Sequence, residues 1–141
     1  MEQRFHMLLY RAFHAQRNYL RPYLEEIGLG SGQPKILSYL SVQGPCHQKE
    51  LAEYFEIDPA AVCRMLDSLE KGGFISRRTD AANRRADLIK LTAKGQRATQ
   101  AWQKHCAEIE QVMLNGFSDE EKKQFSSYLA RAYQNMKPNN P

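Results

Sequence analysis

The sequence has no apolar run near the roughly 18 residues that cross a bilayer, so no membrane-spanning segment is expected. Charged residues also interrupt the N-terminal stretch MEQRFHMLLYRAFHAQRNYL too often for the apolar core of a signal peptide. No internal repeat or low-complexity linker divides the 141 residues, and about 100 to 200 residues is the usual size of one domain. The sequence therefore predicts a soluble, cytoplasmic protein built as one compact unit, with no membrane partner.

Cysteine is scarce, and its spacing argues against the usual cysteine-based sites. Cys46, Cys63 and Cys106 form no CxxC pair, and an odd number of widely spaced cysteines does not suit a disulfide framework. The remaining candidate zinc ligands are His6, His14, His47 and His105. They show no i, i+4 pair and no short cluster, so we expect reduced thiols, no metal and no cofactor.

Catalytic motifs are also absent from the sequence. It has no phosphate-binding loop, no nucleophile elbow and no HExxH pattern, so an enzyme is not expected. The formal net charge is +4 and the isoelectric point is about 9.0, a mild basic excess that is compatible with a polyanionic partner. The location of the basic residues therefore matters more than their sum.

Apolar residues recur at spacings of three, four and seven over most of the chain, which predicts a mainly α fold. We expect helices at 3–27, 34–43, 47–55, 59–71 and 93–115, and a last helix from 118. Pro22 should bend the first helix or mark a boundary in it. Asp58 and Thr92 are expected N-caps, Ser118 and Glu121 have capping-box spacing, and Gly72-Gly73 should end the fourth helix.

The pattern changes after the double glycine. FISRRT and DLIKL are typical of two short antiparallel strands, joined by a polar tip, DAANRRA, at 80–86. This tip contains Arg84 and Arg85. Two short helices, a tight turn and a two-stranded ribbon in this order predict a winged helix-turn-helix at 33–92.

The fourth helix would present two different faces. Its core face is expected to consist of Val62, Met65, Leu66 and Leu69. Its outer face is expected to consist of Ala60, Arg64, Asp67, Ser68 and Lys71. In a major groove, Arg64 could donate two hydrogen bonds to guanine, while a tip arginine enters the minor groove. The same face and the same tip could equally be solvated surfaces without a partner.

The segment QKELAEYFEIDPAAVCRMLDSLEKGGFISRRTDAANRRADLIKLTAKG resembles the MarR (multiple antibiotic resistance regulator) family of transcription factors. The resemblance extends to GQPKILSYL and to the outer helices. It implies a homodimer, joined through helices at 1–27 and 93–136, on a pseudo-palindromic double-stranded DNA operator. It also implies repression as the usual mode of action.

The resemblance assigns DNA contacts residue by residue. Ala60, Ala61 and Arg64 would lie nearest the bases, and Arg85 would enter the minor groove. The remaining expected contacts, mostly to the DNA backbone, are Cys63, Ser68, Arg77, Arg78, Arg84 and Lys90. Asn83 replaces the acidic residue that usually orients the wing arginine, and Asp80 is a candidate substitute. Cys63 and Ser68 also differ from the residue types that are common at their positions.

Regulation is open to two interpretations. Many members of the family bind a small aromatic effector, and Tyr10, His14, Arg17 and Arg21 share one face of the first helix where such a ligand could bind. They could instead be interface or solvated residues. Oxidation of Cys63 beside the DNA-facing surface is the redox alternative, and a winged helix that binds protein instead of DNA is the alternative for the whole chain.

Overall fold

The computed structural model describes residues 4–137, except for the side chains of Arg84 and Arg85. Within these residues the chain forms six α-helices and a two-stranded antiparallel ribbon, which confirms a mainly α fold with a wing. The elements are α1 (Phe5–Ile27), α2 (Gln33–Gln43), α3 (Gln48–Phe55), α4 (Pro59–Lys71), β1 (Ile75–Asp80), β2 (Asn83–Leu91), α5 (Ala93–Met113) and α6 (Asp119–Met136). Contacts divide the chain after Ala107, inside α5, into two compact units.

The first unit contains the hydrophobic core. Helices α2, α3 and α4 and the ribbon all contribute to it, and its fully buried side chains include Ile36, Leu37, Leu51, Leu66, Leu69 and Ile89. The predicted core face of α4 is confirmed, with Val62 buried as well and Met65 half-buried. Because this face is anchored in the core, the opposite face of α4 is turned to solvent.

The predicted caps of α4 and α5 are found at the expected residues. Thr92 Oγ1 accepts a hydrogen bond from the amide of Gly95 at 3.0 Å. Gly73, with φ of +81°, takes the left-handed conformation after α4. Asp58 is the N-cap residue of α4, but its side chain makes no capping hydrogen bond. Pro59 has no N–H and already fixes φ for the first turn, so this helix start does not depend on the carboxylate.

The paired strands of the ribbon are longer than the pattern of apolar residues predicts. Its strands pair from Ile75 opposite Leu91 out to Asp80 opposite Asn83, with a shift of register between Thr79 and Asp80. The predicted tip at 80–86 was therefore wrong, since only residues 81 and 82 separate the strands. Asp80 Oδ1 accepts a hydrogen bond from the amide of Ala82 at 2.9 Å and closes the turn. Main-chain pairing continues here through polar residues, which apolar periodicity cannot detect.

The second unit consists of the end of α5 and all of α6. The predicted capping box is confirmed, since Ser118 Oγ accepts from the amide of Glu121 at 3.1 Å and Glu121 Oε1 accepts from the amide of Ser118 at 2.8 Å. No residue of α6 is buried within this chain. None of the helices among residues 4–137 is long and apolar enough to cross a membrane.

Candidate nucleic-acid interface

Helix α4 begins with small side chains and carries one exposed arginine on the side away from the core. Ala60 and Arg64 are exposed, while Ala61 and Cys63 are half-buried. Gln48 Nε2 of α3 donates to the carbonyl oxygen of Pro59 at 3.2 Å and so connects the two helices at this end. No described side chain forms an ion pair with Arg64. Its guanidinium group is therefore available to a partner outside the chain.

Arg77 differs from Arg78 and Lys90 of the ribbon because its charge is neutralised by two carboxylates of α4. Its Nη2 lies 2.6 Å from Asp67 Oδ1 and 2.9 Å from Glu70 Oε1, both on α4. The hydrogen bonds that Arg77 donates to Glu70 and then to Asp67 raise the pKa of Arg77 above its usual range, although partial burial opposes them. Arg77 therefore joins β1 to α4, and a phosphate contact would have to compete with these two carboxylates.

The outer face of the ribbon carries the exposed positive charge. Arg78 and Lys90 are both exposed, and strand alternation puts them on the face opposite Arg77. The backbone of Arg84 and Arg85 lies in β2, next to the turn, but their side chains are outside the described part of the structure. The predicted contacts of these two arginines therefore remain predictions.

His47 is a residue of this surface that sequence reasoning did not single out for DNA binding. Its Nε2 lies 2.9 Å from Asp80 Oδ2 and its Nδ1 lies 3.1 Å from the main-chain oxygen of Asp87. The Asp80 carboxylate is thus already bound by His47 and by the amide of Ala82, which weakens the hypothesis that it orients Arg85. No local sequence signal could reveal a contact between residues 33 positions apart.

The Ser68 side chain forms a hydrogen bond on the side of α4 that faces α2. Its hydroxyl oxygen accepts a hydrogen bond from Gln33 Nε2 at 3.0 Å, and Gln33 Oε1 accepts from the amide of Gly30 at 2.8 Å. Gln33 is buried, with 8% of its surface exposed, although it is polar. Ser68 therefore connects α4 to the start of α2, a role that the amphipathic pattern of α4 does not indicate.

A cavity of about 840 Å³ opens beside α1, α2 and α3 in the first unit. The residues that line the cavity include both positively charged and aromatic side chains: Arg17, Arg21, Lys35, Tyr39, Phe55 and Trp102. Only two of the four residues predicted to bind an effector line this cavity. Arg17 and Arg21 line the cavity, whereas Tyr10 and His14 are not among its lining residues and stack on each other with ring centroids 5.6 Å apart.

The cysteines differ in their surroundings. Burial, and then the charge of Glu50, raise the pKa of Cys46 to about 11, so little of this thiol is ionised near neutral pH. Cys63 and Cys106 are half-buried and unbridged. Among residues 4–137, no three His, Cys, Asp or Glu side chains come together as a group that could bind a metal ion.

Large apolar side chains are exposed on the outer helices. On α1 they include Phe5, with 74% of its surface exposed, and Phe13 with 57%. On α6 they include Tyr128 with 59% and Leu129 with 50%. Their regular helical spacing makes one continuous apolar stripe on each helix, and stripes of this kind are uncommon on surfaces that have no partner.

Comparison with known proteins gives one consistent family. A model of the MarR family matches residues 29–86. YwoH of Bacillus subtilis (strain 168), an uncharacterized HTH-type transcriptional regulator, is 32% identical over 103 residues, which make up 73% of this chain and 74% of YwoH. YetL of the same organism, an HTH-type transcriptional repressor, is 34% identical over 112 residues, with 77% and 66% covered. The crystal structure of an S. aureus MepR–DNA complex has a TM-score of 0.83 at 24% identity and covers 95% of this chain and 97% of that one.

The fold, the wing and these matches agree with one another. The family model spans α2, α3, α4 and most of the ribbon, which are the elements that form the candidate interface. YwoH exceeds 30% identity over most of both chains. The chain therefore belongs to the MarR family of transcriptional regulators and is not an enzyme.

Proposed function

We propose that the chain is a homodimeric repressor that binds a pseudo-palindromic operator, with α4 in the major groove and the ribbon in the minor groove. The observation that carries this proposal is the exposed Arg64 on α4 beside a ribbon whose outer face carries Arg78 and Lys90. YetL is described as a repressor and MepR was solved on DNA, which supports the same activity for this relative.

The exposed apolar stripes support the dimer. A two-fold partner would bury Phe5 and Phe13 of α1 together with Tyr128 and Leu129 of α6, which a single chain leaves in water. A dimer also presents two copies of α4 and of the ribbon, as a palindromic DNA site requires. No residue of α6 is buried within its own chain, and such pairing would cover its apolar stripe.

Operator binding can be tested by fluorescence anisotropy with DNA from upstream of the protein's own gene. We expect two chains per duplex and affinity that falls roughly 1000-fold between about 50 and 200 mM salt, because basic residues displace counterions from phosphates. Arg85→Ala should weaken binding about 10-fold or more, since Arg85 is expected in the minor groove.

An unrelated duplex of the same length is the control for sequence selectivity. Weak binding that is the same on both duplexes and unchanged by Arg85→Ala would contradict the proposal. That result would favour the alternative of a winged helix that binds another protein.

We further propose that a small aromatic anion binds in the cavity and releases the DNA. Arg17, Arg21 and Lys35 supply positive charge, and Tyr39 and Trp102 supply flat apolar surface. The cavity is also connected to α4, because Gly30 lines it and donates to Gln33, which in turn donates to Ser68. A ligand that moves the α1–α2 connection would therefore disturb the orientation of α4.

Thermal unfolding with benzoate and 4-hydroxybenzoate tests the effector site. At about ten times its dissociation constant a bound ligand stabilises by roughly 1.4 kcal/mol, which raises Tm by a few degrees. Arg21→Gln should abolish this rise, whereas Arg11→Gln, also on α1 but outside the cavity, should keep it. Equal responses in the two variants, or an equal rise with uncharged benzyl alcohol, would contradict an anion site.

A further inference from the structure

His47 connects the body of the winged helix to both strands of the ribbon. It is the N-cap residue of α3, and its ring contacts Asp80 at 2.9 Å and the main-chain oxygen of Asp87 at 3.1 Å. Asp80 ends β1, and Asp87 lies in β2 opposite Thr79. One imidazole therefore contacts both strands at the point where their register shifts.

Both partners of the His47 ring are hydrogen-bond acceptors. A carboxylate oxygen and a carbonyl oxygen can only accept hydrogen bonds, and they lie at opposite nitrogens of the same imidazole. A neutral imidazole has one N–H and can donate to only one of them. A side chain with two N–H groups can donate to both acceptors, as the positions of the two ring nitrogens allow.

The position of this contact along the ribbon gives it a consequence for DNA binding. Nearer the base of the ribbon, Cys46 exchanges two main-chain hydrogen bonds with Ile89, at 3.1 and 2.8 Å. At the same level Arg77 pairs with α4. Residues 81–86, which include Arg84 and Arg85, lie on the far side of His47. The ring is therefore placed between the body of the protein and the part of the ribbon whose main chain includes the two arginines.

We propose that His47 is a positioning residue that holds the wing in the orientation in which Arg85 enters the minor groove. The inference rests on the proposed DNA-binding function. The titratable groups at the junction are Asp80 on β1, Asp87 on β2, which meets the ring through its main-chain oxygen, and Glu50 on α3, whose carboxylate accepts from Tyr39 at 3.4 Å. Removal of the ring would leave both strands without this attachment to the start of α3, so the wing would be released.

Hydrogen exchange in the free protein tests the connection without DNA. In His47→Ala the main-chain amides of residues 81–88 should exchange about 5-fold faster or more, while those of α4 keep their rates, because only the ribbon loses an attachment. His6→Ala, a histidine change on α1, should leave the ribbon unaffected. Unchanged exchange at 81–88 in His47→Ala would overturn the proposal.

A double-mutant cycle tests the positioning itself. Arg85→Ala should weaken operator binding about 10-fold in the wild type but less than about 3-fold in the His47→Ala background, because a released wing no longer delivers the arginine. His47→Arg, whose guanidinium group carries several donors, should restore the full effect of Arg85→Ala. This rescue would not occur if His47 were needed only for stability.

The outcomes separate the two proposals. Sequence-selective binding by the wild type with fully additive effects of His47→Ala and Arg85→Ala would overturn the positioning role and leave the DNA-binding function intact. Absence of selective binding by the wild type would overturn both. The exchange experiment would then still decide whether His47 holds the ribbon in the free protein.

Discussion

Replacement of Arg64 by glutamate should lower operator affinity about 100-fold or more, which is the largest functional effect that we expect from a single exposed residue. An arginine that donates two hydrogen bonds to a guanine is worth roughly 1 to 3 kcal/mol, and a dimer on a palindrome uses it twice. The glutamate adds repulsion from the phosphates. The free energy of unfolding should change by only about 0.5 kcal/mol, because Arg64 is exposed and pairs with no described side chain.

Lys104→Glu is the matched control for this variant. It makes the same change of net charge at an exposed position on α5, and it should shift affinity only through the long-range field. Anisotropy titrations at one fixed salt concentration compare the two directly. Equal losses in Arg64→Glu and Lys104→Glu would mean that α4 has no special contact with the DNA, which would contradict the groove-binding role of this helix.

Gly95→Ala should destabilise the protein by about 2 kcal/mol or more and lower Tm by roughly 5 to 10 °C. Gly95 is buried in the first turn of α5, where helix propensity alone would favour alanine by about 1 kcal/mol. An added Cβ would overlap with the carbonyl oxygen of Phe74 and lie 3.0 Å from Leu91 Cδ2. That carbonyl cannot move freely, because it accepts a hydrogen bond from the amide of Thr92 at 3.1 Å.

The turn between α4 and β1 explains why this position is so restricted. Thr92 Oγ1 donates to the carbonyl oxygen of Gly73, and Lys94 Nζ donates to that of Gly72, each at 2.6 Å. The start of α5 is therefore bound closely to this turn, and a methyl group at Gly95 would separate them. The wing follows the turn directly, so the variant should also weaken DNA binding.

Gly116→Ala is the control for the change of glycine to alanine. Gly116 has φ of +85° and open space around its Cβ position, so the cost should be only that of backbone strain, about 1 kcal/mol. Thermal unfolding of the variants at equal protein concentration gives the comparison, since a dimer's Tm depends on concentration. An increase in Tm for Gly95→Ala would show that helix propensity outweighs the overlap with Phe74.

Much of the fold could be read from local patterns. The apolar spacing of α4 predicted Val62, Leu66 and Leu69 as core residues, and all three are buried. The capping box at Ser118 and the cap at Thr92 depend on groups three residues apart, so the sequence alone was enough to find them. The ribbon was found by its change of period, but its tip was drawn too long because main-chain pairing does not require apolar side chains.

The candidate site was less predictable because its contacts join residues far apart in the chain. The sequence indicated that Arg77, Arg78 and Lys90 lie on one basic ribbon, but not which face each one occupies. Strand pairing puts Arg77 against Asp67 and Glu70 and leaves the other two exposed. In the same way, Arg17 and Arg21 line the cavity, whereas Tyr10 and His14 on the same helix do not.

The sequence by itself determined the family, the order of the elements, the core face of α4 and the basic character of the wing. These features depend on residue type and on spacing within one element, which a linear pattern records. Only the tertiary structure decided which polar side chains contact each other, because these contacts join separate elements of the fold. The pairs are His47 with Asp80, Gln33 with Ser68, and Arg77 with Glu70. In each pair, hydrogen bonds to water are replaced by a hydrogen bond within the fold. This replacement requires two side chains to lie close together in space, which no local sequence pattern records.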